Sequence, residues 1–519
     1  MRLHDVLDYL AREQPDAELV THGTRTQTRA DTLALANRLA QALVAAGLKP
    51  GSRFAVLAKN CLEYPTFFYG GSKSGAVPVP LNYRLAPPEW QYIIGDAEAE
   101  LVIARGEYVA ALDPLRASLP RVRRWIALEA PAPAGWEPWD AWIAAQPATA
   151  PVVDVQPGDD LYQMYTSGTT GRPKGAVLTH AAVTAQIVQI SFSISGPPGE
   201  RVLIVAPMYH AAAAVTALHA IAAQGSLVIH EDFDPRAVVR ALSEENIHRT
   251  TLVPAMIQAC LVTVPDVAER RYDHLRQITY GASPIAEHVL RRAIEVFQCE
   301  FNQGYGMTET TAVLSYLTAE DHRRALAGRP ELLLSAGRAI VGTEVRIVDA
   351  DDRPVPLGTV GEICGRGPQL LRCYWNQPDA TAAALRGGWM HTGDAGRMDA
   401  DGYIYIQDRV KDMIVSGGEN IYPREVEEVL FQHPAIADAA VIGIPDDTFG
   451  EAVKAVVVLR EGATATAEEI MEFCRGRLGG YKRPRSVDFV PALPRNPSGK
   501  VLKRELREPY WQGRERRVG

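Results

Sequence analysis

Short unbroken apolar runs alternate with segments of helical period along most of the chain, and this alternation leaves few folds open. Phe54–Ala58, Ala76–Leu81 and Leu101–Ala104 read as buried strands, because successive apolar residues face both sides of a sheet. Tyr64–Lys73 and the stretch opened by Pro87 and Pro88 read as the helices between them. The pattern resumes with strands at Val202–Ala206, Ser226–Ile229, Arg249–Val253 and Gln277–Tyr280. Such a succession predicts mostly parallel sheets with helices on both faces. Two helices precede it, one on Leu3, Val6, Leu7 and Leu10, the other on Leu35, Leu39 and Leu43, ended by Gly47 and Pro50. Residues 129–151, rich in Ala, Pro and Trp, read as a surface excursion.

Residues 340–410 change character. Short strands separated by glycine-rich turns (VGTEVRIVD, GEICGRG, GYIYIQD) suggest a small antiparallel or barrel-like element. Beyond residue 410 a compact α/β pattern follows, with helices at Ile421–Gln432 and Ala467–Leu478 and strands at Ala439–Ile444, Ala452–Leu459 and Val487–Val490. The expected class is α/β, with a large domain over residues 1–410 and a small one over 411–519.

Composition narrows the function. The chain of 519 residues is 47% hydrophobic and 22% charged with a net charge of −8, which argues against a general nucleic-acid binder. Six cysteines lie scattered without a CxxC pair, so structural zinc is not expected and reduced thiols in the cytoplasm are. The N-terminus, MRLHDVLDYLAREQPD, lacks an apolar signal core. Ala211–Ala223 is the most apolar stretch, too short to span a bilayer and broken by His219, and it reads as a buried helix.

The densest chemical signal is Tyr165-Thr166-Ser167-Gly168-Thr169-Thr170-Gly171-Arg172-Pro173-Lys174-Gly175. Glycines let successive N–H groups turn toward one concavity, hydroxyls add donors, and Lys174 adds a point charge, which together suit an anion. The order is not that of a Walker A loop, since Lys174 is followed by Gly175 and not by Ser or Thr. The segment resembles the phosphate-loop signature of the adenylate-forming superfamily, and nearly the whole chain carries that superfamily's motifs in order. The likeness is greatest to bacterial medium- and long-chain acyl-CoA synthetases.

The resemblance implies ATP, Mg²⁺ and CoA as reactants or cofactors, and a site residue by residue. Thr166 through Gly171 and Lys174 would cradle phosphate. In Asn302-Gln303-Gly304-Tyr305-Gly306-Met307-Thr308-Glu309, Gln303, Gly304 and Tyr305 would face adenine, Thr308 the α-phosphate, and Glu309 with Thr166 the Mg²⁺. Asp394 of His391-Thr392-Gly393-Asp394 would accept hydrogen bonds from ribose. Arg409 would contact ribose or phosphate, and Lys411 would be the hinge on which the small domain rotates. Gly281, Ala282, Ser283 and Gly304 would line the nucleotide and acyl wall with small side chains. His210 of Pro207-Met208-Tyr209-His210 would sit at the acyl pocket, although it also reads as a core histidine. Short-chain members of that superfamily place a bulky aromatic where Gly306 stands, so glycine implies an open pocket and an apolar acid larger than acetate. Alanines after His210, where peptide-synthetase domains carry an aspartate, count against an amino acid.

The second half-reaction is assigned to Ser416-Gly417-Gly418-Glu419-Asn420, where paired glycines would pass a pantetheine arm; a plain turn is an equal reading. Thirteen Lys and Arg against four Asp and Glu between Cys474 and Gly519 form a basic rim for CoA phosphates or for an anionic membrane surface. The resemblance does not choose between monomer and homodimer. Rival readings are an aryl-acid CoA ligase, an acyl-AMP ligase that loads a carrier protein in trans, a luciferase-type oxygenase, and an inactive adenylate-binding scaffold.

Lys500, in Pro494-Arg495-Asn496-Pro497-Ser498-Gly499-Lys500, matches the superfamily's catalytic lysine. A carboxylate attacking the α-phosphorus meets another anion, and an ammonium between them removes the repulsion. At ~4 Å and an effective dielectric near ~20 one charge pair is worth roughly 4 kcal/mol, about three decades of rate. Lys500→Ala is therefore expected to cripple adenylation and largely spare thioester formation from preformed acyl-adenylate. Separate assays of the two half-reactions check this, and equal loss in both contradicts it.

Overall fold

The structure is a computed structural model that describes residues 1–129, 132–166, 172–194, 196–283, 285–409, 412–416, 419–446, 448–475, 477–495 and 501–512, with backbone alone at 408, 409 and 420. The apolar runs expected as strands form two sheets. One is parallel throughout, in the order Val77–Pro80, Arg53–Leu57, Leu101–Ala104, Arg124–Ala127, Glu137–Pro138. The other has nine strands with a parallel centre, Glu300–Tyr305, Gln277–Gly281, Arg249–Leu252, Arg201–Ile204 and Ser226–Ile229, adjacent in that order. Ser315–Leu317 and Arg338–Ala339 extend its first edge in antiparallel pairing.

The opposite edge was hidden in the sequence. The hairpin Glu18–His22 and Arg25–Thr28 docks there, with Val20 beside Leu227 in parallel pairing. Its residues are mostly polar, as suits an edge, so no apolar run announces it. Thr28 ends the hairpin and caps the helix Arg29–Ala45, its hydroxyl accepting from the Asp31 N–H while Asp31 accepts from the Thr28 N–H.

Residues 129–151 depart from the expected surface excursion. Glu137–Pro138 is the edge strand of the parallel sheet, Trp139–Ala144 is a helix, and Trp136, Trp139 and Trp142 are buried. The Trp139 ring meets Phe67 edge-on, centroids 5.7 Å apart. Trp139, Trp142 and Ile143 follow the i, i+3, i+4 spacing of one helix face, a short signal that the surrounding Ala and Pro mask in the sequence.

Two smaller antiparallel sheets fill the region between and beyond these. Asp160–Thr166 and Lys174–Thr179 pair as a hairpin, with Cys373–Tyr374 on its edge. Glu344–Val348, Gly361–Arg366, Met390–Met398 and Ile404–Arg409 form the small antiparallel element expected over 340–410. After residue 411 a separate sheet forms, Glu419–Ile421, Ile414–Ser416, Gly450–Leu459 and Ile436–Asp446, with Ser486–Phe489 added in parallel. Pro423–Leu430 packs on it, and Arg424 donates to the Ile406 carbonyl at 3.2 Å. The boundary expected at residue 410 falls outside the described residues. Among the described residues no helix is long and apolar enough to cross a membrane.

Trp139→Ala is expected to lower the unfolding free energy by about 3–5 kcal/mol, whereas Val152→Ala, on a fully exposed residue, should change it by less than about 0.5 kcal/mol. Urea unfolding monitored by circular dichroism checks both.

Candidate functional site

The phosphate-loop motif occupies the tip of a hairpin. Thr166 pairs with Lys174 and Tyr165 with Gly175 across its two strands, so Ser167, Gly168, Thr169, Thr170 and Gly171 belong to the connection and lie outside the described residues. The hairpin's base is braced. The Tyr165 hydroxyl donates to Asp96 at 2.6 Å and accepts from the Gln163 amide at 3.1 Å. Burial, with Asp96 beside it, pushes the Tyr165 hydroxyl up, so it stays a donor. A Cβ at residue 175 would lie 2.5 Å from the Gln163 amide nitrogen, which is why the motif ends in glycine. Beneath, Asp160 bridges Arg53 and Arg372, both at 2.9 Å, and the Arg53 guanidinium stacks on Trp375. Burial pulls the Asp160 carboxyl up, against the two guanidinium charges.

Glu309 arrives at this hairpin from the end of the nine-stranded sheet. The strand Glu300–Tyr305 leads into a short turn, Thr308–Thr310. The Glu309 side chain, only 4% exposed, accepts from the Tyr374 hydroxyl at 2.7 Å and from the Thr166 hydroxyl at 3.4 Å. Lys174 lies over the Tyr374 ring, 5.3 Å from its centroid. Among the described residues Glu309 has no cationic partner within ion-pair distance. A buried carboxylate served by neutral hydroxyls calls for a cation. Carboxylate and hydroxyl are hard oxygen donors, which fit Mg²⁺. Tyr374 was absent from the sequence reading, since Arg372-Cys373-Tyr374-Trp375 has no motif character.

Tyr305 and Asp394, which the resemblance assigns to adenine and to ribose, are in direct contact. The tyrosine hydroxyl donates to Asp394 Oδ2 at 2.9 Å, across from the four-stranded sheet. The turn that carries Asp394 is held from below by Glu362, another residue the sequence reading did not single out. Glu362 Oε1 accepts the Gly393 N–H at 2.9 Å, and its Oε2 lies 2.8 Å from His391 Nδ1 and 3.1 Å from Arg386. Gly393 adopts φ +71°, a left-handed turn that glycine takes without strain. Glu362, Cys364 and His391 converge because residues two apart on a strand share a face and Cys364 lies opposite His391. Burial pushes the Cys364 thiol up to about 12, so it stays protonated. Arg409 pairs with Asp394 across the sheet through its backbone.

The small residues expected on the wall cluster at the ends of two strands. Gly281 and Gly304 are parallel partners, so close that a Cβ on Gly281 would lie 2.3 Å from the Gly304 carbonyl. Gln303 precedes them, half-buried, with Oε1 unpartnered. Ala282 follows at φ +66° and Ser283 continues the turn, while Thr311 and Ala312 also have positive φ. Three non-glycine residues in this region mark strain held by the surroundings. At Gly306 the Ala312 carbonyl occupies the place of a side chain, 2.3 Å from an ideal Cβ. Close backbone packing, not only room for an acyl chain, thus accounts for glycine there. Thr308 is half-buried beside Glu309.

His210 precedes the helix Ala211–Ala222, its ring packed on Tyr209 with centroids 4.3 Å apart. Among the described residues Nε2 is buried without a partner, and burial, aided by Arg84, lowers the imidazole to about 4. Ser416 is buried at the start of the C-terminal sheet, paired with Glu419 and Gly450. Lys411, Gly417, Gly418 and Lys500 lie outside the described residues. The structure therefore joins Thr166, Lys174 and Glu309, and joins Tyr305 with Asp394.

Comparison with known proteins follows the same lines. Residues 7–375 match the family described as AMP-binding enzyme, and residues 425–500 match the AMP-binding enzyme C-terminal domain. The chain is 37% identical to a fatty acid–[acyl-carrier-protein] ligase, ScoC, of Streptomyces coeruleorubidus, covering 98% of this chain and 96% of that one. It is 39% identical to a feruloyl-CoA synthase of an Amycolatopsis species, covering 96% and 97%. A solved Mycobacterium tuberculosis fatty acyl CoA synthetase superposes with a TM-score of 0.78 at 35% identity, over 98% of both chains.

With its folded pKa near 4, His210 is expected to stay neutral above pH ~5. Because folding favours its neutral form, stability on its account is intact above the unfolded value of 6.5 and lost as pH falls from there toward 4. Imidazole NMR titration, assigned by a His210→Gln comparison, checks this; a midpoint near 6.5 contradicts it.

Proposed function

The chain belongs to the family of AMP-binding enzymes, and on that premise we propose that it is an ATP-dependent acyl-CoA ligase for an acid with a largely apolar body. A carboxylate and ATP give acyl-AMP and pyrophosphate, and CoA then takes the acyl group and releases AMP. The observation that carries this reading is the meeting of Thr166, at the tip of the phosphate hairpin, with the buried carboxylate of Glu309, which has no cationic partner among the described residues. Medium- and long-chain fatty acids are the favoured substrates. The feruloyl-CoA synthase among its relatives keeps aryl acids as a second reading, and the fatty acid–[acyl-carrier-protein] ligase keeps a carrier protein as an alternative acceptor.

The residues divide the work. Thr166 and Glu309 would hold Mg²⁺, which when bound neutralises phosphate charge and eases departure of pyrophosphate. Tyr374 and Thr166 orient the Glu309 carboxylate by hydrogen bonds. The phosphate hairpin supplies N–H groups, hydroxyls and Lys174 to the anion. Tyr305 offers an aromatic face to adenine while its hydroxyl orients Asp394 toward ribose. Lys500 screens the approach of carboxylate to α-phosphorus and then withdraws as the C-terminal domain, residues 411–519, turns about Lys411. Ser416, Gly417 and Gly418 then face the pantetheine arm.

A panel of straight-chain, branched and aryl acids assayed by CoA-dependent AMP release tests the proposal, with hydroxamate trapping to detect the adenylate. AMP release with at least one acid and CoA is expected; adenylate that CoA never discharges assigns the acceptor to a carrier protein. Glu309→Gln is expected to lower the adenylation rate ~10²-fold or more and to raise the Mg²⁺ concentration needed for half-maximal rate. A variant with unchanged Mg²⁺ dependence contradicts the metal role of Glu309.

A further inference from the structure

One polar side chain in the sheet has no structural reason to be where it is. Asn302 is 1% exposed, and among the described residues neither its amide nitrogen nor its carbonyl oxygen has a partner. A carboxamide offers two donors and two acceptor sites, and a folded interior rarely leaves all of them unmet.

Register shows which way it faces. Thr251, Thr279 and Asn302 are successive partners across three parallel strands, as are Leu252, Tyr280 and Gln303. Ile278, Tyr280 and Phe301 point into the core on one side of the sheet. By strand alternation Thr251, Thr279 and Asn302 point to the other side, together with Gly281 and Gly304.

The element across that face is the helix Ala211–Ala222. Thr216 on this helix reaches Thr251, hydroxyl to hydroxyl at 3.3 Å. Most of the helix is buried, yet Ala212 is exposed and Thr216 half-buried on the side that meets the sheet. Thr251, Thr279, Gly281 and Gly304 are half-buried too. Partial exposure on both elements thus outlines a slot between helix and sheet, with the Gly281–Gly304 pair at its outer end. Asn302 lies two strand residues, ~7 Å, deeper than Gly304. The slot opens at the carboxyl ends of parallel strands, where ligands of open α/β sheets bind. Thr216, Thr251, Thr279 and Asn302, the polar residues placed on this face, are uncharged.

We propose that this slot receives the body of the acid and that Asn302 recognises a neutral hydrogen-bonding group on it, a hydroxyl or phenol remote from the reacting carboxylate. The inference rests on the ligase reading and narrows its substrate class to hydroxylated acids, aryl or acyl. An acid that carries such a group satisfies the buried amide, whereas a plain hydrocarbon leaves it unpaired, and sites built to bond a hydroxyl discriminate strongly against its absence.

The test uses the full chain and three matched pairs: cinnamate and 4-hydroxycinnamate, phenylacetate and 4-hydroxyphenylacetate, octanoate and 8-hydroxyoctanoate. Values of kcat/KM for CoA-dependent AMP release are compared in the native protein and in Asn302→Leu. The expected result is a preference of at least tenfold for the hydroxylated member of one or more pairs, with Asn302→Leu lowering kcat/KM for that member at least tenfold more than for its plain partner. Activity with no preference in any pair, or a preference that survives Asn302→Leu, overturns the inference and leaves the ligase reading intact. Should Asn302→Leu not fold, the conservative Asn302→Ser takes its place, and the native preference decides alone if neither folds. Failure of every acid, in this and the wider panel, to support adenylate formation removes the ligase reading and this inference with it.

Discussion

A single buried carboxylate ties the parts of this protein together. Glu309 sits where two sheets converge: its backbone follows a strand of the nine-stranded sheet, whereas Thr166 and Tyr374 come from the two outer strands of the three-stranded sheet. Neutral hydroxyls orient the charge without cancelling it. Burying an anion in that state is costly, and the cost falls when a cation and a nucleotide arrive. The backbone reinforces the contact, since Leu371 donates to the Glu309 carbonyl and Trp375 to the Gly175 carbonyl.

Support of this kind recurs at other candidate residues among those described. Glu362 holds the Gly393 N–H and His391, and so fixes the turn that carries Asp394. Gln163 and Asp96 hold Tyr165 near the tip of the Asp160–Thr179 hairpin. Asn60 donates to the carbonyls of Ala206 and His230 and accepts from the Met208 N–H, which joins the two large sheets beside His210. Apart from Gln163, two positions from Tyr165, each brace reaches a residue far away in the chain. Each also satisfies polar groups that would otherwise be buried unpaired.

Much of the fold was legible in the sequence because its strands are buried on both faces. Phe54, Leu101 and Ser226 open strands within a residue of where the apolar runs place them. The motifs were legible for a different reason: glycines, hydroxyls and a lysine in a fixed order have few other uses. What escaped the sequence reading lacked either signal. The Glu18–Thr28 hairpin is polar, and the Trp139 helix is framed by alanine and proline. Tyr374 and Glu362 belong to strands with no chemical signature, and Asn302 stood inside a recognised motif with nothing to set it apart. Gly306 was read as space for an acyl chain, and the Ala312 carbonyl supplies a second, backbone reason for it.

Local order along the chain determined the class of fold, the nucleotide chemistry and the identity of the charged groups, because periodicity and motif spacing are properties of neighbours in sequence. Tertiary structure alone decided which of those groups meet. The Thr166–Glu309 contact spans 143 positions and the Tyr305–Asp394 contact 89. It also decided that, among the described residues, Asn302 is left unpaired in the interior. Hydrogen-bond satisfaction depends on everything that surrounds a group in space, and no reading of neighbours along the chain contains that.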